Sequence, residues 1–183
     1  GCYGDGGAIF TNSDNLAYKM RGIVNHGMYE RYYHDEIGVN SRLDSIQAAI
    51  LNVKLKYLDE YNSNSEKMAK TYDIGFCDLE HLNIPYRSSN STHVFHQYTL
   101  KTSPKYRDKL IKHLTKKEIP AMIYYPVPLY KQEAFSRYVP ENYSIENIEK
   151  LCSSVFSLPI HSEKENSQQD KVIDSVRSFF NSI

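Results

Sequence analysis

Apolar residues recur at helical spacing along much of the chain. Leu16, Met20 and Ile23 stand three or four apart behind Ser13 and Asp14, either of which can accept from the free N–H groups of a first turn, so the pattern predicts a helix ending near His26 and Gly27. A longer stripe of Leu43, Ile46, Ile50, Val53, Tyr57, Leu58 and Tyr61 predicts a helix opening at Ser41, with Asp44 as a short partner in a capping box. Met68, Tyr72, Phe76 and Leu79 carry the helical period onward. Further helices are expected over 106–117, 145–152 and 168–183.

Strand signals are shorter. The glycine-rich GDGG turn runs into Ala8, Ile9 and Phe10 and then into Asn12 and Ser13, which reads as a tight turn feeding a short buried strand. Residues 93–100 (HVFHQYTL), 121–125 and 155–160 are β-rich, whereas 28–39 follow neither period and are expected as an irregular loop. After about Glu80 the pattern changes to short strands alternating with helices, with a polar loop over 87–92. That change predicts a boundary between 1–79 and 80–183, the second part a small α/β domain with helices covering a layered sheet. No internal repeat or low-complexity tract interrupts either part.

Charge removes some function classes. Lys plus Arg equals Asp plus Glu at 22 each, so no net positive field gathers nucleic acid or an anionic membrane, and neither partner is expected. Cys2, Cys77 and Cys152 are widely spaced and odd in number, which suits a reducing compartment rather than a disulfide framework. No apolar run approaches the roughly 20 residues of a membrane span, and no basic-then-apolar leader opens the chain, so a cytoplasmic protein is expected. His93 and His96 would face opposite ways on a strand, and His26 and His34 lack partners at ligand spacing; no metal is expected.

Candidate chemistry lies in three places. An apolar strand rather than a helix follows GDGG, so the turn suits close backbone approach better than an independent phosphate loop. Residues 38–44 (GVNSRLD) would bring the Asn40 amide, the Ser41 hydroxyl and the Arg42 guanidinium to the positive end of a long helix, where an anion is favoured. The same residues also suit an ordinary capped helix start with a solvated arginine. In IYYPVPLY, 123–130, two prolines fix where Tyr124 and Tyr125 point, and alternation along a strand would put one of the two in the core.

Taken in order, GCYGDGGAIFTN at 1–12, NHG at 25–27, the run RYYHDEIGVNSRLDSIQAAILNVKLKYLDEYN at 31–62, HVFHQYTL, RDKL, IYYPVPLYKQEAF and SLPIH resemble one family over essentially the whole chain. It is the DegT/DnrJ/EryC1/StrS family of pyridoxal-phosphate-dependent nucleotide-sugar aminotransferases, which includes enzymes making the sugars of antibiotics and lipopolysaccharides. The resemblance implies the C-terminal part of a fold-type I transferase, with the end of the large cofactor domain over 1–79 and the small domain over 80–183. In the family GDGG follows Lys-Asn-Leu-Gly, so the Schiff-base lysine would lie about three residues before Gly1 and no catalytic residue would fall in this chain, which would bind pyridoxal 5'-phosphate weakly or not at all alone.

The resemblance further implies a homodimer whose sites are shared between subunits. Asn40 would reach the cofactor phosphate of the neighbouring subunit, Arg42 would lie near the nucleotide-sugar, and Tyr124 and Tyr125 would line its pocket. The implied amino donor is glutamate and the implied setting polysaccharide biosynthesis. Three positions depart from the family pattern: Tyr130 and Tyr124 stand where histidines are common, and Ser65 where an arginine is. Two other parents are compatible with the same residues, a sugar dehydratase with histidine in place of the lysine and a non-catalytic binding or dimerisation module.

Overall fold

The first helix forms where its stripe predicts. In the computed structural model, which describes residues 1–140, 143–163 and 166–183, α1 spans Asp14–Val24, and the Ser13 hydroxyl caps it by accepting from the Leu16 N–H at 3.4 Å. The chain leaves this helix through His26 and Gly27, both at positive φ, 64° and 74°. Residues 28–39 are not irregular throughout: β1 (Met28–Glu30) and β2 (Tyr33–His34) pair antiparallel as a short hairpin. Little of the hairpin is buried, so selection for an alternating apolar face left no period to read.

The second helix opens later than its stripe suggests. α2 spans Ser45–Lys54 with Asp44 at the N-cap position, in extended backbone and without a capping bond, so the Ser41–Asp44 box does not form. Upstream, Val39 N–H donates to Ile23 O at 2.8 Å and Ser41 N–H to Val24 O at 2.9 Å. Those bonds hold 39–41 extended along the end of α1 and prevent a helix there. A 3-10 turn over Leu55–Tyr57 leads into α3 (Leu58–Phe76).

The chain folds as two compact units, 1–58 and 59–183. Ala69, Tyr72 and Phe76 of α3 belong to the hydrophobic core of the second unit. In the first unit Ala8, Ile9 and Phe10 are not a strand, and Phe10 is 91% exposed. No strand of that unit lies beside them to complete a ladder, and an isolated strand has no partner for its backbone groups.

The second unit is built on a three-stranded antiparallel sheet in the order β3 (Leu82–Asn83), β4 (Tyr98–Thr102), β5 (Val155–Leu158). Tyr98 faces Leu158 and Leu100 faces Phe156 across the β4–β5 pair, and all four are buried with α3, α4 (Pro104–Lys116) and α6 (Asn166–Phe180). Pro104 opens α4, where its missing N–H costs nothing. α5 (Glu146–Ser154) runs straight into β5, and Arg107 of α4 donates to the Cys152 carbonyl at 3.2 Å.

Buried hydroxyls in this core are paired. Tyr72 donates to Pro159 O and Tyr98 to Asp73 Oδ1, each at 2.8 Å; an unmet buried hydroxyl would cost about 1–3 kcal/mol. Desolvation of its phenol, reinforced by Asp73, pushes the Tyr98 pKa upward, so the hydroxyl stays a donor.

Two expected strands shrink. β4 begins at Tyr98 instead of His93, because Phe95 takes a positive φ of 49° and its N–H turns back to His93 Nδ1 at 2.9 Å. The stretch 121–125 contributes one bridge, Met122 to Ser157. Pro120 and Pro126 flank it, and neither has an N–H to extend the pairing. Among the described residues no helix is long and apolar enough to cross a membrane.

Candidate functional site

The site begins with two glycines that touch. A Cβ at Gly27 would stand 1.7 Å from Glu36 O, and one at Gly38 would stand 2.1 Å from Gly27 N and 2.5 Å from Ile23 O. Only glycine lets these backbones meet, and their meeting carries residues 39–41 against the end of α1. Asn40 pairs there with Asn25 in an isolated antiparallel bridge. Val39 and Ser41 occupy the Ile23 and Val24 carbonyls, so that negative helix end is satisfied by protein.

Beside this seam lies a cleft of about 760 Å³ within the first unit. Asp5, Gly6 and Gly7 of the glycine-rich segment form one wall, Ala17, Met20 and Arg21 of α1 another, and Asn40, Ser41, Arg42 and Leu43 a third. Two arginines, Arg21 and Arg42, and one aspartate, Asp5, are thus the charged residues of the lining, a balance that favours an anion. Arg42 Nε donates to Asn40 Oδ1 at 3.0 Å. With that oxygen occupied, the Asn40 Nδ2 amide is the group left to donate to a ligand, and the outer edge of Arg42 offers two parallel N–H groups.

Asn40 and Arg42 thus share one cleft wall, but not for the reason expected. Neither sits at the start of a helix, since α2 begins at Ser45; the charges and amide described above take the place of the helix end. Tyr124 and Tyr125 belong to the second unit. Neither is core: their exposures are 40% and 74%, and their rings meet edge to face at 6.0 Å. Single-bridge pairing at Met122 leaves no strand face to bury one of them.

Sequence reasoning missed Arg21 and Asp5. Arg21 ends a helix in the usual place for a basic residue, and Asp5 sits in a glycine-rich stretch where aspartate is common anyway, so neither carried a separate signal. His93 and His96 lie outside the strands, and no cluster of three or more potential metal ligands occurs among the described residues.

A phosphorylated cofactor suits this donor set. An amide, a hydroxyl and two guanidiniums are what a phosphate dianion recruits, while no lysine lines the cleft to bond covalently to an aldehyde.

The architecture is that of the C-terminal part of a fold-type I pyridoxal-phosphate transferase. It matches the crystal structure of DesV from S. venezuelae, solved in complex with a ketimine intermediate, with a TM-score of 0.94 at 35% identity, covering 100% of this chain and 49% of that one. A DegT DnrJ EryC1 StrS aminotransferase from Brucella abortus matches with a TM-score of 0.90 at 35% identity, over 98% of this chain and 48% of that one. The chain belongs to the DegT/DnrJ/EryC1/StrS aminotransferase family, whose model matches residues 2–177.

Among curated sequences it is 36% identical over 179 residues to the dTDP-3-amino-3,4,6-trideoxy-alpha-D-glucose transaminase of Streptomyces venezuelae, covering 98% of this chain and 47% of that protein. It is 40% identical over 184 residues to a Geobacillus stearothermophilus protein named pleiotropic regulatory protein, covering 98% of this chain and 48% of that one. The chain spans about half the length of the curated relatives it matches.

Proposed function

We propose that this chain is the C-terminal half of a pyridoxal-phosphate-dependent aminotransferase that converts a nucleotide-linked keto-sugar to an amino-sugar, with glutamate as donor. The observation that carries the reading is the first unit's cleft, which offers Asn40, Arg42 and Arg21 to an anion and no lysine among its lining residues. Relatives at 36% and 40% identity are named as a dTDP-sugar transaminase and a UDP-sugar aminotransferase. In this reading residues 1–79 end the large domain, 80–183 form the small one, and the Schiff-base lysine is supplied from outside the chain.

When bound, pyridoxal phosphate supplies an electron sink for the carbon that gains or loses the amino group. This chain's residues bind and orient around it. Asn40 Nδ2 donates to the cofactor phosphate in the partner subunit of a homodimer, and Arg42, held by its bond to Asn40, grips a phosphate of the nucleotide-sugar with its outer N–H pair. Tyr124 and Tyr125, both exposed residues, line the sugar pocket. Alone, the chain binds cofactor weakly or not at all and does not transaminate. Its cysteines are all free, in keeping with a cytoplasmic setting.

The test compares the chain with a polypeptide that continues its reading frame upstream, by absorbance after adding pyridoxal phosphate and by borohydride trapping. The expected result is a trapped lysine adduct in the longer protein only. Cofactor binding without an adduct would turn the assignment to a dehydratase. No binding by the longer protein would overturn it.

A further inference from the structure

One wall of the cleft has almost nothing of its own to hold it. Residues 1–12 make no backbone-to-backbone hydrogen bond among the described residues, yet Asp5, Gly6 and Gly7 bound the cleft. A side chain supplies the missing rung: Gln47 of α2 accepts from Tyr3 N–H through Oε1 at 2.8 Å and donates to Tyr3 O through Nε2 at 2.6 Å. A backbone pair in an antiparallel sheet uses the same donor and acceptor pattern. Gly4, at φ 133°, passes close enough that a Cβ there would touch Gln47 Nε2 at 3.6 Å, and a Cβ at Gly6 would touch Leu43 Cδ1 at 3.4 Å. Lys54 Nζ lies 5.5 Å from the centre of the Tyr3 ring on the same helix face.

We infer that Gln47 is a positioning residue of the anion cleft, its amide pinning the glycine-rich segment at Tyr3 to α2 and so setting the gap between the Asp5–Gly7 wall and the Asn40–Arg42 wall. Gln47 does not itself line the cleft. The inference rests on the phosphate-binding role proposed above.

Replacement by glutamate gives a test that a packing role would not pass. An ionised carboxylate can only accept, so it loses the bond to Tyr3 O and faces that carbonyl with a negative charge; a protonated carboxyl has one O–H donor and one acceptor and restores the pattern. Because its neutral form is the bonded one, the introduced carboxyl should titrate above the ordinary glutamate value of about 4.3.

Hydrogen exchange at the Tyr3 amide and pyridoxal phosphate affinity are measured in the longer reading-frame protein for wild type, Gln47→Glu and Gln47→Leu, from pH 7.5 to 4.5. Exchange in α3 serves as the folding control. Gln47→Leu should lose Tyr3 protection at every pH. Gln47→Glu should bind about tenfold more weakly than wild type near pH 7.5, as expected for one lost hydrogen bond, and close that gap as pH falls.

Unchanged Tyr3 exchange in Gln47→Leu would overturn the clamp. Altered exchange with wild-type affinity would overturn its role in the cleft while leaving the function standing. Absence of cofactor binding by the wild-type protein would sink the proposed function, and this role with it.

Discussion

Replacing Gly38 by alanine should undo the seam on which Asn40 depends. The new Cβ would lie 2.1 Å from Gly27 N and 2.5 Å from His26 C and Ile23 O, all main-chain atoms without a rotamer to change. Moving only from 2.1 Å to 3.0 Å requires 0.9 Å of backbone retreat. Three hydrogen bonds cross that seam: Val39 N–H to Ile23 O at 2.8 Å, Ser41 N–H to Val24 O at 2.9 Å, and His26 N–H to Val39 O at 3.0 Å. A retreat of that size takes all three out of range, and at about 0.5–1.5 kcal/mol each the local loss is about 1.5–4.5 kcal/mol. Hydrogen exchange reads this directly, because the Val39 and Ser41 amides should exchange at least about tenfold faster in the variant. Gly7→Ala is the control, since a Cβ there meets nothing within 4 Å. If Gly38→Ala exchanged at the wild-type rate at Val39 and Ser41, the contact would not govern the position of Asn40, and the derivation of the site would fail.

Two further predictions concern the second unit. Phe156 is fully buried between β4 and the covering helices, so Phe156→Ala should lower its stability to denaturant by about 3–5 kcal/mol, and a loss under 1 kcal/mol would contradict the core as described. Glu149 accepts from Lys131 at 2.9 Å and from the Tyr130 and Ser144 hydroxyls at 2.8 Å each, and these partners, Lys131 foremost, hold its carboxyl down to about 2. A depressed folded pKa stabilises above the unfolded value of 4.5 and is lost as pH falls toward 2. Acid unfolding of Glu149→Gln should therefore depend less on pH between 4.5 and 2 than that of wild type, and an equal dependence would remove Glu149 from the account.

Helices were the legible part of this fold. Ser13 with Leu16, Met20 and Ile23 located α1, and the Met68, Tyr72 and Phe76 spacing located the buried face of α3, because one amphipathic period repeats over enough turns to be read. Short strands were less legible: β3 has two residues, the hairpin over 28–34 buries little, and 121–125 looks like a strand but is confined by prolines to one bridge. The start of α2 was misplaced because nothing local reveals that 39–41 are already tied to α1, a contact made possible by Gly27 and Gly38 across the hairpin. For the same reason the cleft could be half foreseen. Asn40 and Arg42 stood out as an amide and a guanidinium two apart, whereas Arg21, Asp5 and Gln47 take their meaning from tertiary contacts that no spacing encodes.

The central claim, that Asn40 serves a site in the partner subunit, is tested most directly by mixing two inactive proteins. Both continue the reading frame upstream; one carries Asn40→Ala, the other lacks the Schiff-base lysine, and the two are dissociated and reassociated together. Each heterodimer then regains one intact site of two, and with half the dimers mixed, transaminase activity should recover to about a quarter of wild type. Recovery at that level would establish the shared site; failure to rise above either parent, with mixed dimers present, would contradict it.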